Sequence, residues 1–437
     1  MPLKALSVRR PLPVCGVVLL LALLVPGAAA AQERVMTLDE VVRAAVLRDP
    51  AAVAAEVAVA NARTDGLQAA GSWLPSLNLN TAYNNSSNER FDQNSGRLVS
   101  QSYSTQLQGG WDLFTGGRRL IGRRTAGAVL DAADAQYESQ RFNTILSATQ
   151  AFYDAAAASD IVRVAHQRLE RARAQLTAAQ TRLELGTATQ SDALRAEIEV
   201  GNAESAVLDA EASLRSTTLE LGRRVGVQGA VTPSAESLPA GAPALPALDV
   251  LVQQAAASSP SVIAANATLR SRRAERMASY TNYLPTVRLT GGYDWFAFDF
   301  PADQRSWSMR VTASLPVFNG FQREANLQRS AAAERLAEAR ARDAVNVARV
   351  AVESAAAEMS SAERRLAIAS RSVLLAQEDL RVQEERYAIG VATILDLQAS
   401  QVALSDAEVN VVRARHALGT ATARLEAILG QRLRGDS

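Results

Sequence analysis

Two short constellations in this chain place a hydroxyl, an acid, a glycine and a cation within eleven residues of each other. One is Arg182, Gly186, Thr189 and Asp192; the other is Arg386, Gly390, Thr393 and Asp396. Neither holds a nucleophile–base pair, a phosphate loop or a nucleotide fingerprint, so the chemistry on offer is electrostatic rather than catalytic. Thr followed three residues later by an acid fits a capping box, which also sets a carboxylate against the positive end of a helix. An acid in a narrow passage, multiplied by symmetry, makes a ring of like charge that selects cations and resists closing. For Asp192 and Asp396 the two roles are compatible. Arg182 and Arg386 sit where a cation suits the last turn of a helix. Tyr387, one turn before Gly390, is a large seam side chain that fills space. His166 and His416 lie in helical stretches with no Cys and no second His nearby, so no metal or catalytic site is expected.

These residues belong to a longer internal repeat. Phe114, Gly116 and Gly226 return as Phe318, Gly320 and Gly430, with the same offset of 204 that relates the two constellations. Asp49-Pro50 and Leu74-Pro75 return as Ser259-Pro260 and Leu284-Pro285 with an offset of 210, so the first copy carries a loop longer by six between Pro75 and Phe114. A duplicated unit of this kind excludes most enzyme folds and favours a wall, a tube or a scaffold.

Residues 1–31 read as an export signal. Lys4, Arg9 and Arg10 precede the apolar run from Val17 to Val25, and Ala29-Ala30-Ala31 is a small-residue cleavage site. The single cysteine, Cys15, leaves with that segment, so disulfides and thiol chemistry are not expected. Loss of its three cations takes the formal net charge from +1 to −2. The remaining charges are well mixed, which argues against nucleic acid as a partner. No later stretch is apolar for the eighteen or so residues of a membrane helix, so any membrane insertion must use strands.

The first repeat spans 32–227. A capping box at Thr37-Leu38-Asp39-Glu40 opens it, and Pro75 ends the helix that starts at Pro50. A β-hairpin over about 76–114 follows, with strands at Ser76–Asn84 and Ser102–Leu113 and a polar loop at Ser86–Gln101. Leu77, Leu79, Thr81 and Tyr83 alternate with polar residues, as do Tyr103, Thr105, Leu107 and Trp111. This is the period-two pattern of a membrane barrel strand. A long helix over about 118–185, a turn at 186–189 and a returning helix complete the unit. The second repeat spans 248–430, with a hairpin at about 286–318, a polar loop at Ala297–Arg305, a long helix at about 323–389 and a turn at 390–393. Val352, Met359, Leu366, Val373 and Leu380 recur every seven residues, each with an Ala (Ala355, Ala362, Ala369, Ala376) or Gln383 three positions on. Such a large-against-small seam brings helices close together. The Pro-rich stretch 228–247 is expected to be a linker or irregular girdle outside the core, and 431–437 a tail. Four strands cannot close a barrel, so self-assembly is required, and three copies would supply twelve.

In its tandem repeat, its order of elements and its doubled R-x-x-x-G-x-x-x-x-x-D motif, nearly the whole chain resembles the TolC family of outer-membrane efflux and secretion ducts. The resemblance implies a mainly α fold with a membrane β-barrel portion. A homotrimer would join a twelve-stranded barrel in outer-membrane lipid to an α-helical barrel crossing the periplasm. It implies a passive exit duct of a tripartite pump or type I secretion system. Its partners would be a periplasmic adaptor and an inner-membrane transporter of RND, ABC or MFS type, with no cofactor. Asp192, Asp396 and Tyr387 would lie at the pore constriction, and Arg182, Gly186, Thr187, Arg386, Gly390 and Val391 at the adaptor-docking tip. A Tyr387–Asp192 hydrogen bond would help hold the tip closed. Ala392 and Ala399 depart from the family pattern, where some members carry an Arg and a second acid. The competing reading from the residues is an envelope-spanning structural coiled coil without transport. A periplasmic adaptor is a further alternative, but adaptors have one helical hairpin.

Overall fold

The computed structural model describes residues 34–92, 96–234, 238–239, 241–298 and 304–433. The expected export signal lies outside them. The first repeat holds β1 (Arg34–Met36), α1 (Leu38–Arg48), α2 (Pro50–Gly71), β2 (Ser76–Asp92), β3 (Arg97–Phe114), α3 (Arg118–Glu184) and α4 (Gln190–Val225). After β4 (Val231–Pro233), the second holds α5 (Leu248–Ser258), α6 (Pro260–Tyr280), β5 (Thr286–Ala297), β6 (Gln304–Ser314), α7 (Gln322–Ala388) and α8 (Ile394–Leu429).

Local chemistry sets the boundaries. Thr37 and Glu40 form a reciprocal capping box at α1, while Asp49 caps α2 through the Ala51 N–H, with Pro50 at the first helical position. The long helices α3 and α7 each have 67 residues, which corresponds to about 100 Å of rise. Two shorter helices lie against each of them: α2 and α4 along α3, α6 and α8 along α7. The two repeats meet where α3 packs on α6 and α8.

Helix packing follows the heptad seam. Val352, Ala355, Met359, Ala362 and Leu366 are buried with Leu418, Leu425 and Leu251. On the other repeat Ala165, Leu169 and Ala172 meet Ala203, Val207 and Ala210. Alanine at alternate seam positions lets the backbones approach, while each fully buried Leu or Val contributes about 1.5–3 kcal/mol. A second core holds Phe152, Tyr153, Val41, Leu221 and Val231. Val231 corrects the expectation that 228–247 stays out of the core. β4 pairs in parallel with β1, and Ser234 N–H donates to Met36 O at 3.0 Å. This pairing satisfies backbone groups that a buried irregular segment would leave unpaired.

The four-stranded antiparallel sheet has the order β2-β3-β5-β6. The first hairpin departs from expectation in its loop. Strand pairing resumes inside 86–101, where Arg90–Asp92 pair with Arg97–Val99 after a register shift between Asn85 and Arg90. Polar residues conceal this extension, because strands beyond the apolar band need no alternation. Register gives the sheet two distinct faces. Leu79, Leu107, Tyr293 and Trp307 form one cross-strand row, and Asn80, Gln106, Asp294 and Ser306 form the adjacent row on the opposite face. Leu77, Leu79, Tyr83, Trp307, Met309 and Val311 are all exposed on the apolar face. Strands β2 and β6 are the open edges of the sheet. Among the described residues no helix is long and apolar enough to cross a membrane.

Candidate functional site

The two constellations meet at the end of the helices farthest along the chain from the sheet. Each long helix ends in a Schellman motif. Gly186 adopts φ +73°, its N–H donates to Leu183 O at 3.0 Å, and Thr187 N–H donates to Arg182 O at 2.9 Å. Gly390 adopts φ +78°, with matching bonds from Gly390 N–H to Tyr387 O at 3.2 Å and from Val391 N–H to Arg386 O at 2.9 Å. Only glycine takes this left-handed conformation without a side-chain penalty.

The next helices start with complete capping boxes. Asp192 Oδ2 accepts from Thr189 N–H at 3.0 Å and from its hydroxyl at 2.7 Å, while the Asp192 N–H donates to Thr189 Oγ1 at 3.3 Å. Asp396 repeats the arrangement with Thr393 at 2.9, 2.7 and 3.2 Å. Hydrogen bonds from the Thr189 backbone and then its hydroxyl hold the Asp192 carboxyl below its ordinary 3.8. At Asp396 the Thr393 hydroxyl contributes most, the Thr393 N–H next, and Arg386 adds an attraction. Both acids are therefore anionic at neutral pH while also serving as caps.

Arg182 does not cap its own helix. It reaches across to the other repeat, donating from Nη1 to Tyr387 O at 2.8 Å and from Nη2 to Ala388 O at 3.0 Å. Its guanidinium also lies over the Tyr387 ring, 4.3 Å from the centroid. A planar fork is well suited to this double role, bonding two last-turn carbonyls at the negative end of α7 while stacking on an aromatic face. Tyr387 is packed with Leu176, Ala179, Ala196 and Ile394, so it joins the two repeats at the tip.

The expected Tyr387–Asp192 hydrogen bond is not formed in this protomer. Asp192 turns its Oδ2 toward Thr189, and the Tyr387 ring is held under Arg182 instead. Arg386, Thr187, Gly186, Gly390 and Val391 are all exposed at the turns. Sequence reasoning missed Leu185 and Ile389, which are 72 % and 75 % exposed beside the two glycines. The repeat offset was the available signal, since an apolar residue recurs at both C-caps. It also missed Gln398, whose side-chain amide donates to Arg195 O at 3.3 Å, and the part-buried pair of Arg171 and Glu408 at 3.2 Å, which ties α3 to α8. His166 faces Glu211 and His416 faces Asp154. No cluster of three metal-ligating side chains occurs among the described residues.

The repeat is also the unit that comparison with known proteins recovers. The profile described as "Outer membrane efflux protein" matches residues 41–227 and 251–431, one segment on each repeat. The chain belongs to the outer membrane efflux protein family. It is thus a channel protein of the outer membrane, extending into the periplasm, and not an enzyme. It is similar to the outer membrane efflux protein BepC of Brucella suis, at 27 % identity over 427 residues, covering 89 % of this chain and 91 % of BepC. It is 27 % identical to protein CyaE of Bordetella pertussis over 228 residues, a match that spans 50 % of this chain and about half of CyaE (47 %). In fold it is similar to the open state of the MtrE outer membrane channel of Neisseria gonorrhoeae. There the TM-score is 0.73 at 21 % identity, covering 91 % of this chain and 90 % of that one.

Proposed function

We propose that this efflux-family channel is the passive exit duct of a tripartite pump or secretion system. Three copies close a twelve-stranded barrel in the outer membrane, continuous with a helical barrel in the periplasm. The observation that supports this most is the unfinished sheet. Its apolar row of Leu79, Leu107, Tyr293 and Trp307 runs from one open edge to the other. An open edge in lipid leaves backbone N–H and C=O groups unsatisfied at several kcal/mol each, which only further strands can cure.

At the other end, the exposed apolar residues Leu185, Ile389 and Val391 flank turns kept narrow by Gly186, Gly390 and Thr187. That surface suits the tip of an adaptor's helical hairpin. Asp192 and Asp396 supply rings of negative charge there, and Tyr387 lines the constriction as part of the Arg182 contact. The energy source is an inner-membrane transporter, so the duct needs no cofactor.

Planar-bilayer recording of the purified mature protein tests the duct. Discrete, cation-biased openings from a detergent-resistant trimer are expected. A folded protein that never conducts would instead be the structural coiled coil. Cysteines at Thr187 or Val391 should crosslink to the adaptor, and failure to do so in a conducting trimer would remove the docking assignment.

A further inference from the structure

The tip contact made by Arg182 has a counterpart that one protomer cannot complete. The offset of 204 maps Arg182 onto Arg386, and maps its acceptors Tyr387 and Ala388 back onto Leu183 and Glu184. The same relation is visible in the backbone, since both helices end in the same Schellman motif with the same donors and acceptors. Within the protomer Arg182 reaches from the first repeat to the second, and no matching contact from Arg386 is made among the described residues.

Three observations show that the Arg386 end is incomplete. The Arg386 guanidinium is exposed and makes no hydrogen bond among the described residues, facing Asp396 only electrostatically. Leu183, the counterpart of the Tyr387 ring beneath Arg182, is 37 % exposed. Glu184 O receives no hydrogen bond among the described residues, whereas Ala388 O receives one from Arg182. The surrounding flanks are open as well. The α7 flank exposes Ile368, Leu374 and Leu375, and the α4 flank exposes Leu194, Ile198 and Leu208. Exposed leucines at both flanks of a long helical slab indicate a second copy of the chain as the occupant. The sheet is likewise unfinished at two edges, β2 and β6.

We propose that Arg386 is the intermolecular clamp of the assembled tip: its guanidinium donates to Leu183 O and Glu184 O of a second copy, with its stem over that copy's Leu183. The tip ring then alternates between contacts inside a chain, made by Arg182, and contacts between chains, made by Arg386. The clamp rests on the self-assembly proposed above. Its consequence is that the tip opens by parting chains at Arg386, while the two repeats of one chain stay joined through Arg182.

The test uses the mature full-length protein, which retains no cysteine once the export signal is removed. The pair Glu184→Cys with Arg386→Cys, treated with a short bis-maleimide, should give covalent dimers and trimers on a denaturing gel. The pair Arg182→Cys with Ala388→Cys should change only monomer mobility. In separate recordings, Arg386→Ala should raise single-channel conductance, and Arg386→Lys, with no planar fork, should raise it less. Detergent-resistant, conducting trimers without an intermolecular ladder would overturn the clamp and leave the duct standing. So would a ladder with conductance unchanged in Arg386→Ala. A protein that forms no trimer would overturn both.

Discussion

The two repeats have the same backbone plan, but they differ where each finishes against the chain that follows. At the end of α4 the linker folds straight back over the helix, so that a Cβ added at Gly222 would lie 2.0 Å from Gly229 O. At the matching place on α8 stands Glu426, whose Oε1 accepts from Leu433 N–H at 2.9 Å. One repeat needs the absence of a side chain and the other uses a side chain to hold the backbone. A second difference precedes the long helices. Gly116 and Gly117 both have positive φ in the first repeat, and Gly320 and Phe321 do in the second, with Phe321 at +63°. Duplication conserves the path of the backbone, while the means of holding that path is replaced wherever the neighbour differs.

The largest expected break in this comparison is Gly222→Ala. Overpacking against a backbone carbonyl should cost about 2–3 kcal/mol, read as lost hydrogen-exchange protection at the end of α4. Glu426→Ala at the matching site gives up a hydrogen bond worth about 1 kcal/mol. Equal losses at the two sites would show that the ends are built alike after all. Next comes Arg182→Ala, which strips a charged donor from two carbonyls. The site is partly solvated, so we expect about 1–2 kcal/mol, with faster exchange confined to the last turn of α7. A loss shared along the whole of α3 would argue against a local joint.

Exchanging the hinge residues sharpens the second difference. Phe321→Gly should remove a left-handed strain of about 1 kcal/mol, provided its edge-to-face contact with Phe318 contributes less. Gly117→Ala should impose a strain of the same size. Opposite signs in thermal melting are the expected outcome, and the same sign in both would refute the strain argument.

The smallest effect concerns acid. The Asp192 and Asp396 carboxyls titrate below 3.8, so their capping contribution is fully present above that pH and is lost as pH falls through the lower folded value. Cation bias in bilayer recordings should therefore persist through the neutral and mildly acidic range and fade only below pH 3.8. A bias lost well above that point would take these acids out of the selectivity ring.

Periodic features of the fold were readable from the residues. The seam through Val352, Met359 and Leu366 and the alternation through Leu77, Leu79 and Tyr83 repeat often enough to declare their elements. Gly186 and Gly390 declared the helix ends because so few residues tolerate positive φ. The strand extension past Asn85 was hidden by Ser and Asn, since a strand with water on both faces carries no pattern. β4 was hidden because three residues are too few for periodicity, and its partner lies almost two hundred positions away. At the tip the acids and their caps were local and therefore legible. The target of Arg182 was not, because which carbonyl a long side chain reaches is decided by how two repeats are set against each other. The Tyr387–Asp192 expectation failed on competition, as the adjacent Thr189 claims the carboxylate first.

The pairing of β1 with β4 also bears on the order in which the chain matures. Arg34–Met36 leads the described chain, yet it has no mate until Val231 is available, after two hairpin strands and both helical passes of the first repeat. Closing so wide a separation is slow compared with any local turn. The amino-terminal strand thus waits, unmatched, through the whole of the first repeat's synthesis and export. A chain cut short before Val231 would keep its helices but lose the stitch that fastens its beginning to its middle.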